Sequence, residues 1–178
     1  MVLNKTEKSK VYRVNEIVNL LFKRAKAKSI TDITPMKLQK LLYFFNGWHV
    51  VLTGQERLFG DNFEAWEFGL VCSPVYHEYI TYRHKAIPEY EIMGKIGEIA
   101  REPEVVALAD SILKQYGKYS GEKLSAMARL SKIDENGVEI NPWIITRGKA
   151  NNSYYGRDID SNDIKKYFDK LKIDRVLW

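Results

Sequence analysis

Cys72 stands five residues ahead of His77, a spacing that would let an imidazole base approach a thiol nucleophile. A cysteine just before a helix start also has its pKa lowered by the helix dipole. No third group to orient the imidazole is identifiable, and a small buried thiol beside Val71 accounts for the same residue. His77-Glu78 opens like a zinc-protease helix, but the fifth position is Thr81, so the second histidine ligand one turn on is missing. His77 and His84 lie two turns apart on one helix and read as partly exposed helix residues; His49 is the remaining histidine. The carboxylate pairs Glu89/Glu91 and Asp158/Asp160 have loop-like surroundings and no apolar pocket to raise one pKa. Glycine-rich phosphate loops, nucleophile elbows and kinase motifs are missing from the chain. Cys72 is the single cysteine, which excludes an internal disulfide and a cysteine-built zinc site. The expectation is a protein that is not an enzyme and uses no cofactor and no metal.

Apolar spacing predicts the elements that position these groups. Val14, Ile17, Val18, Leu21 and Ala25 form one face of a first helix from Val11 to about Lys28. Thr34-Pro35 is a cap followed by an N1 proline, and Gly54 is placed to end the helix in the left-handed conformation. Between them Leu38, Leu41, Leu42, Phe45, Trp48, His49 and Leu52 trace an apolar stripe so wide that the segment reads as the central core helix. Leu58 to Val71 reads as irregular or short-strand, packing Phe59, Phe63, Trp66 and Phe68 inward. Ser73-Pro74 repeats the cap-and-proline pattern and predicts a third helix running through Arg83. Ala86 to Ile99 suggests a two-stranded hairpin. Pro103 starts a fourth helix stopped at Gly117, Ser120 caps a short fifth, Ser131 to Asp160 is a long irregular region, and Ser161 caps the last helix. The predicted fold is mainly α: one compact domain of about six helices over residues 11–178 with a small β-hairpin or short-strand element, preceded by a frayed segment 1–10.

The 178 residues suit one domain. Apolar runs reach about five residues, far short of the roughly 18 a membrane span needs, and no apolar leader precedes the first helix, so a cytoplasmic protein is expected. Net charge is +5 and unevenly spread. Lys5 to Lys28 holds eight basic and two acidic residues, whereas Glu89 to Asp110 holds two basic and six acidic. Such bipolarity suits association. Eleven Tyr, seven Phe and four Trp exceed what the aliphatic core needs, and Tyr and Trp are hot-spot residues at protein interfaces. A protein-binding surface is therefore favoured over a nucleic-acid one.

The run Met36-Lys37-Leu38-Gln39-Lys40-Leu41-Leu42-Tyr43-Phe44 is followed by His49, Gly54, Leu58-Phe59, Phe63-Glu64-Ala65-Trp66, Phe68-Gly69-Leu70-Val71 and Pro74-Val75-Tyr76. This order and spacing resembles the Panacea domain, the SocA-like antitoxin family that includes the phage-associated GepA proteins, over Leu20 to Tyr82. Leu124-Ser125, Pro142-Trp143 and Ile164 to Phe168 extend the likeness more thinly. The family usually reads tyrosine-glycine-proline-valine at Phe68 to Val71 and a Thr-His pair at Ala128-Arg129, and Asp134 to Asn141 is an insertion.

The resemblance implies a helical domain that neutralises a toxin by binding it, without a catalytic step, and that is able to hand the toxin to a protease. It implies a family scaffold of Leu38, Leu41, Leu42, Tyr43, His49, Phe63, Trp66, Gly69, Pro74, Tyr76 and Trp143. Partner choice would fall to variable segments, with Tyr82, Tyr90, Glu102, Glu104, Tyr154 and Tyr155 as candidate contacts and a cognate protein toxin as the partner. Two other functions fit the sequence less well: a phage or mobile-element accessory that inhibits a host defence protein, and a nucleic-acid-binding regulator acting through the basic first helix.

Overall fold

The computed structural model describes residues 10–88, 97–149 and 156–173. Among them lie seven α-helices: α1 Val14–Ala27, α2 Pro35–Thr53, α3 Ser73–Tyr79, α4 Pro103–Tyr116, α5 Gly121–Ala128, α6 Pro142–Gly148 and α7 Ser161–Ile173. A hairpin of β1 Glu64–Trp66 and β2 Gly69–Val71 joins α2 to α3, with Ala65 opposite Leu70. The expected mainly α domain with a small strand element is what the chain forms.

Helix α2 is the axis of the domain. Its start follows from sequence: the Thr34 hydroxyl accepts from the Lys37 N–H at 3.2 Å and Pro35 occupies the first turn. Its end follows equally, since Gly54 takes φ +73°. Every residue from Lys37 to Val50 is buried, because α1, α4, α5, α7 and β2 all pack around it. A helix buried on all sides needs such a wrapping. Phe44 stacks on Tyr116 of α4 with centroids 4.1 Å apart, and Trp48 donates from Nε1 to the Tyr116 hydroxyl at 3.0 Å. On the opposite flank Phe168 of α7 meets Tyr43 and Trp48 edge-on at 5.3 and 5.2 Å. Gly47 makes this approach possible, since a Cβ there would overlap the Phe168 ring.

Several expectations are corrected. The α3 segment stops at Tyr79 and continues only as a 3-10 turn, Ile80–Tyr82. Ser73 lies inside the helix, and Cys72 is the N-cap with no side-chain bond. Helix α4 stops at Gly117 as expected, with φ −60°; a glycine suits this position because a Cβ would crowd the Leu113 carbonyl and Ile30. Ser161 is likewise the first helical residue of α7, and Asp160 before it accepts the Asn162 N–H at 2.8 Å. The region 131–160 contains a helix, α6, introduced by Asn141-Pro142. The strands fall at 64–71; of the hairpin expected over 86–99, residues 89–96 lie outside the described residues, and Gly97–Arg101 is a 3-10 helix. Leu52, expected on the buried stripe, is 48% exposed, facing away in the last turn.

Ion pairs join the described parts of the two charged segments. Arg24 of α1 grips Asp110 of α4 with two bonds of 2.8 and 2.6 Å, Lys28 adds a contact at 3.4 Å, and Lys10 pairs with Glu102. The Arg24 guanidinium holds the Asp110 carboxyl below the usual carboxylate range. Part of the charge segregation read from the sequence thus ties α1 to α4. Lys10 is engaged; the rest of the segment expected to fray lies outside the described residues.

Candidate binding cleft

The polar members of the Lys37 to Phe44 run are buried, and each holds backbone from a distant segment. Gln39 pairs both ways with Cys72: its Nε2 donates to the carbonyl at 3.2 Å and its Oε1 accepts the amide N–H at 2.7 Å. Lys40 donates to the Leu70 carbonyl at 2.5 Å. Lys37 donates to the Asp32 carboxylate and to the Gly117 carbonyl, both at 2.7 Å. Further along, Asn46 accepts the Leu58 N–H at 2.9 Å. Buried polar groups require such partners, and these bonds lay the hairpin and the start of α3 along the first half of α2.

The hairpin is fixed from its other side as well. Ser125 of α5 donates to the Phe68 carbonyl at 3.2 Å, and Trp143 of α6 donates from Nε1 to the Trp66 carbonyl at 2.7 Å. Gly69 adopts φ +125°, and a Cβ there would lie 3.0 Å from Lys40 Nζ and 3.2 Å from Ser125 Oγ. Any side chain would be both strained and crowded. The outer edge of β1 meets residues 157–159, with the Ala65 N–H donating to Arg157 and the Ile159 N–H to Phe63.

Between this hairpin, α2 and α3 lies a cleft of about 280 Å³. Its walls are Trp66, Phe68, Val71, Tyr76 and Ile80, with Pro35 and Met36 at one end, Gln39 and Lys40 on the α2 side, and Glu67 and Arg83 also lining it. The Trp66 and Tyr76 rings meet edge to face at 4.7 Å, and Trp66 Nε1 donates to Glu64 at 2.7 Å. Burial pushes the Lys40 amine down to about 7, and the nearby Arg129 guanidinium adds to the effect. Arg129 lies over the Trp143 ring, 5.3 Å from its centroid.

Phe68 corrects an expectation: it is 67% exposed, because it sits in the two-residue turn between β1 and β2, from which side chains project outward. Met36 and Ile80, each 38% exposed, flank the same cleft. Of the scaffold residues, Leu38, Leu41, Leu42, Tyr43 and His49 are buried on α2, and Phe63 is buried edge-on against Tyr43. Burial lowers the His49 pKa while Gln55 contacts its ring at 3.1 Å. Trp66 and Tyr76 reach the cleft, Pro74 is exposed in the first turn of α3, and Trp143 is half-buried.

None of the described candidate contacts, Tyr82, Glu102 and Glu104, lines the cleft. Tyr82 packs half-buried against the core, Glu102 pairs with Lys10, and Glu104 is exposed in the first turn of α4. Tyr90, Tyr154 and Tyr155 lie outside the described residues. Sequence reading missed Gln39 and Lys40 as site residues. Their signal was a cluster of polar residues, Lys37, Gln39 and Lys40, in the first turns of a helix that is mostly apolar.

Cys72 is fully buried, and desolvation pushes its thiol up to about 12. It is therefore a core residue whose thiol is held protonated at neutral pH. Among the described residues no group of three His, Cys, Asp or Glu side chains is placed to hold a metal ion.

The arrangement defines a mainly α domain built around one enclosed helix, with an apolar cleft where a short hairpin crosses it. The family model described as antitoxin SocA-like, Panacea domain, matches residues 38–132, and the chain belongs to that family. No curated protein and no solved structure matched the chain.

Proposed function

We propose that this protein neutralises a protein toxin by forming a direct complex with it, without a catalytic step, in the cytoplasm of a host whose phage or mobile element encodes the pair. The match to the antitoxin family over residues 38–132 carries the reading. The surface around the hairpin supports it: Phe68 stands out beside Met36 and Ile80, an aromatic anchor whose backbone neighbours are tied to α5 and α6. Rigid aromatic anchors of this kind dominate interface energetics. No helix among the described residues is long and apolar enough to cross a membrane. The basic end of α1 favours nucleic acid less than its composition suggests, because Arg24 and Lys28 are committed to Asp110.

The test is co-expression with the product of the adjacent reading frame. Growth rescue should accompany a stable complex in calorimetry. Phe68→Ser should weaken that complex by about 2 kcal/mol, roughly 30-fold, with the melting temperature unchanged, and Tyr154→Ala with Tyr155→Ala tests the variable segment in the same way. Rescue without any detectable complex would overturn direct neutralisation.

A further inference from the structure

Helix α2 carries two buried lysines three residues apart, and they are provided for differently. Lys37, 1% exposed, has the Asp32 carboxylate and the Gly117 carbonyl. Lys40, 2% exposed, has one acceptor, the Leu70 carbonyl. Among the described residues no carboxylate pairs with it, and the charge it senses, Arg129, has the same sign. An ammonium has three donors, and a buried cation without a counter-ion is among the costliest groups a fold can hold. Lys40, and not Lys37, lines the cleft.

We propose that the cleft binds a small monocarboxylic acid, its aromatic or branched body against Trp66, Tyr76 and Ile80 and its carboxylate paired with Lys40 Nζ. Size sets the scale. A cavity of about 150 Å³ takes benzene, so about 280 Å³ suits a body of roughly eleven heavy atoms. The apolar walls exclude sugars and nucleotides, and since the exposed Arg83 and Glu67 on the lining offset each other, the one buried cation favours a monoanion over a phosphate. Burial holds the Lys40 amine near neutrality, helped by the Arg129 guanidinium just after α5, and Arg83 after α3, Glu67 and Tyr76 are the other ionisable groups lining the cleft. A bound carboxylate therefore draws a proton onto Lys40. The site goes beyond the complex-forming reading and does not depend on it, since it is tested on the protein alone.

The experiment is calorimetry of the full chain at pH 7 with 3-phenylpropionate and its neutral isostere 3-phenylpropanamide, in two buffers of different ionisation enthalpy. The acid should bind at least about tenfold more tightly than the amide, with net proton uptake. Lys40→Met should abolish that preference, so that acid and amide bind the variant with equal affinity. Equal binding of acid and amide, binding of neither at about 10 mM, or a preference that survives Lys40→Met would each overturn the proposal. Should Lys40→Met fail to fold, the Lys40 side-chain resonances of the unmodified protein decide: they shift on titration with the acid and not the amide, or the site is wrong.

Discussion

The carboxamide of Gln39 closes a ring of two hydrogen bonds on the backbone of Cys72, at 3.2 and 2.7 Å. This one side chain fixes where β2 hands over to α3. Gln39→Leu keeps the bulk and leaves both backbone groups of Cys72 unpaired in a buried place, each costing about 1–3 kcal/mol. Urea denaturation should show a loss of that order or larger, and Cys72 should react faster with a disulfide reagent. Gln39→Glu keeps the acceptor but sets a carboxylate against the Cys72 carbonyl, so it should destabilise despite its similar shape.

Tyr43 is fully buried, and its hydroxyl has no hydrogen-bond partner among the described residues. The ring earns its place through contacts with Phe44, Phe63 and Phe168 at 5.3 to 5.6 Å. Tyr43→Phe retains those contacts and removes an unsatisfied polar atom, so it should raise stability by about 1 kcal/mol. A lower melting temperature in scanning calorimetry would refute this.

Gly47→Ala should destabilise by about 1–3 kcal/mol, the range for overpacked cores, because the new methyl meets the Phe168 ring. Gly47→Ala combined with Phe168→Leu should cost less than the sum of the two single changes. A double-mutant cycle on chemical denaturation measures this coupling.

Lys40 makes stability depend on pH in a definite direction. Its folded pKa of about 7 lies below the ordinary 10.5, so between these values the unfolded chain binds more protons and stability rises with pH. Below about pH 7 the full penalty of a buried ammonium is present. Urea midpoints should therefore increase from pH 6.5 to pH 9, and Lys40→Met should flatten the increase.

The marks that the sequence carries openly are local ones. Thr34, Pro35 and Gly54 delimit α2 because a cap, a fixed φ and a left-handed residue act within one turn. Asn141-Pro142 bears the same mark. Its amide accepts from Trp143 and Ile144 at 3.0 and 3.2 Å and donates to Ala128 and Leu130, yet α6 is too short to establish an apolar period, so the helix hid inside a region that reads as loop. Trp66 and Phe68 look alike in sequence, and only the hairpin turn separates the buried ring from the exposed one. The roles of Lys37, Gln39 and Lys40 depend on Gly117, Cys72 and Leu70, partners that no local pattern supplies. The charge segregation was plain, but its closure through Arg24 and Asp110 is tertiary.

The hairpin tip has a consequence for how such a protein diversifies. Phe68 is held through its backbone, by Ser125 at its own carbonyl and by Trp143 two residues earlier, while its side chain touches water. Replacing that side chain disturbs none of the bonds that seat the hairpin on α2. Replacing Gly69, one residue later, forces a side chain against Lys40 and Ser125. Adjacent positions thus face opposite demands from the fold, which tolerates a change at Phe68 and resists one at Gly69. A lineage can change what it presents at the tip by single steps, without passing through an unfolded intermediate.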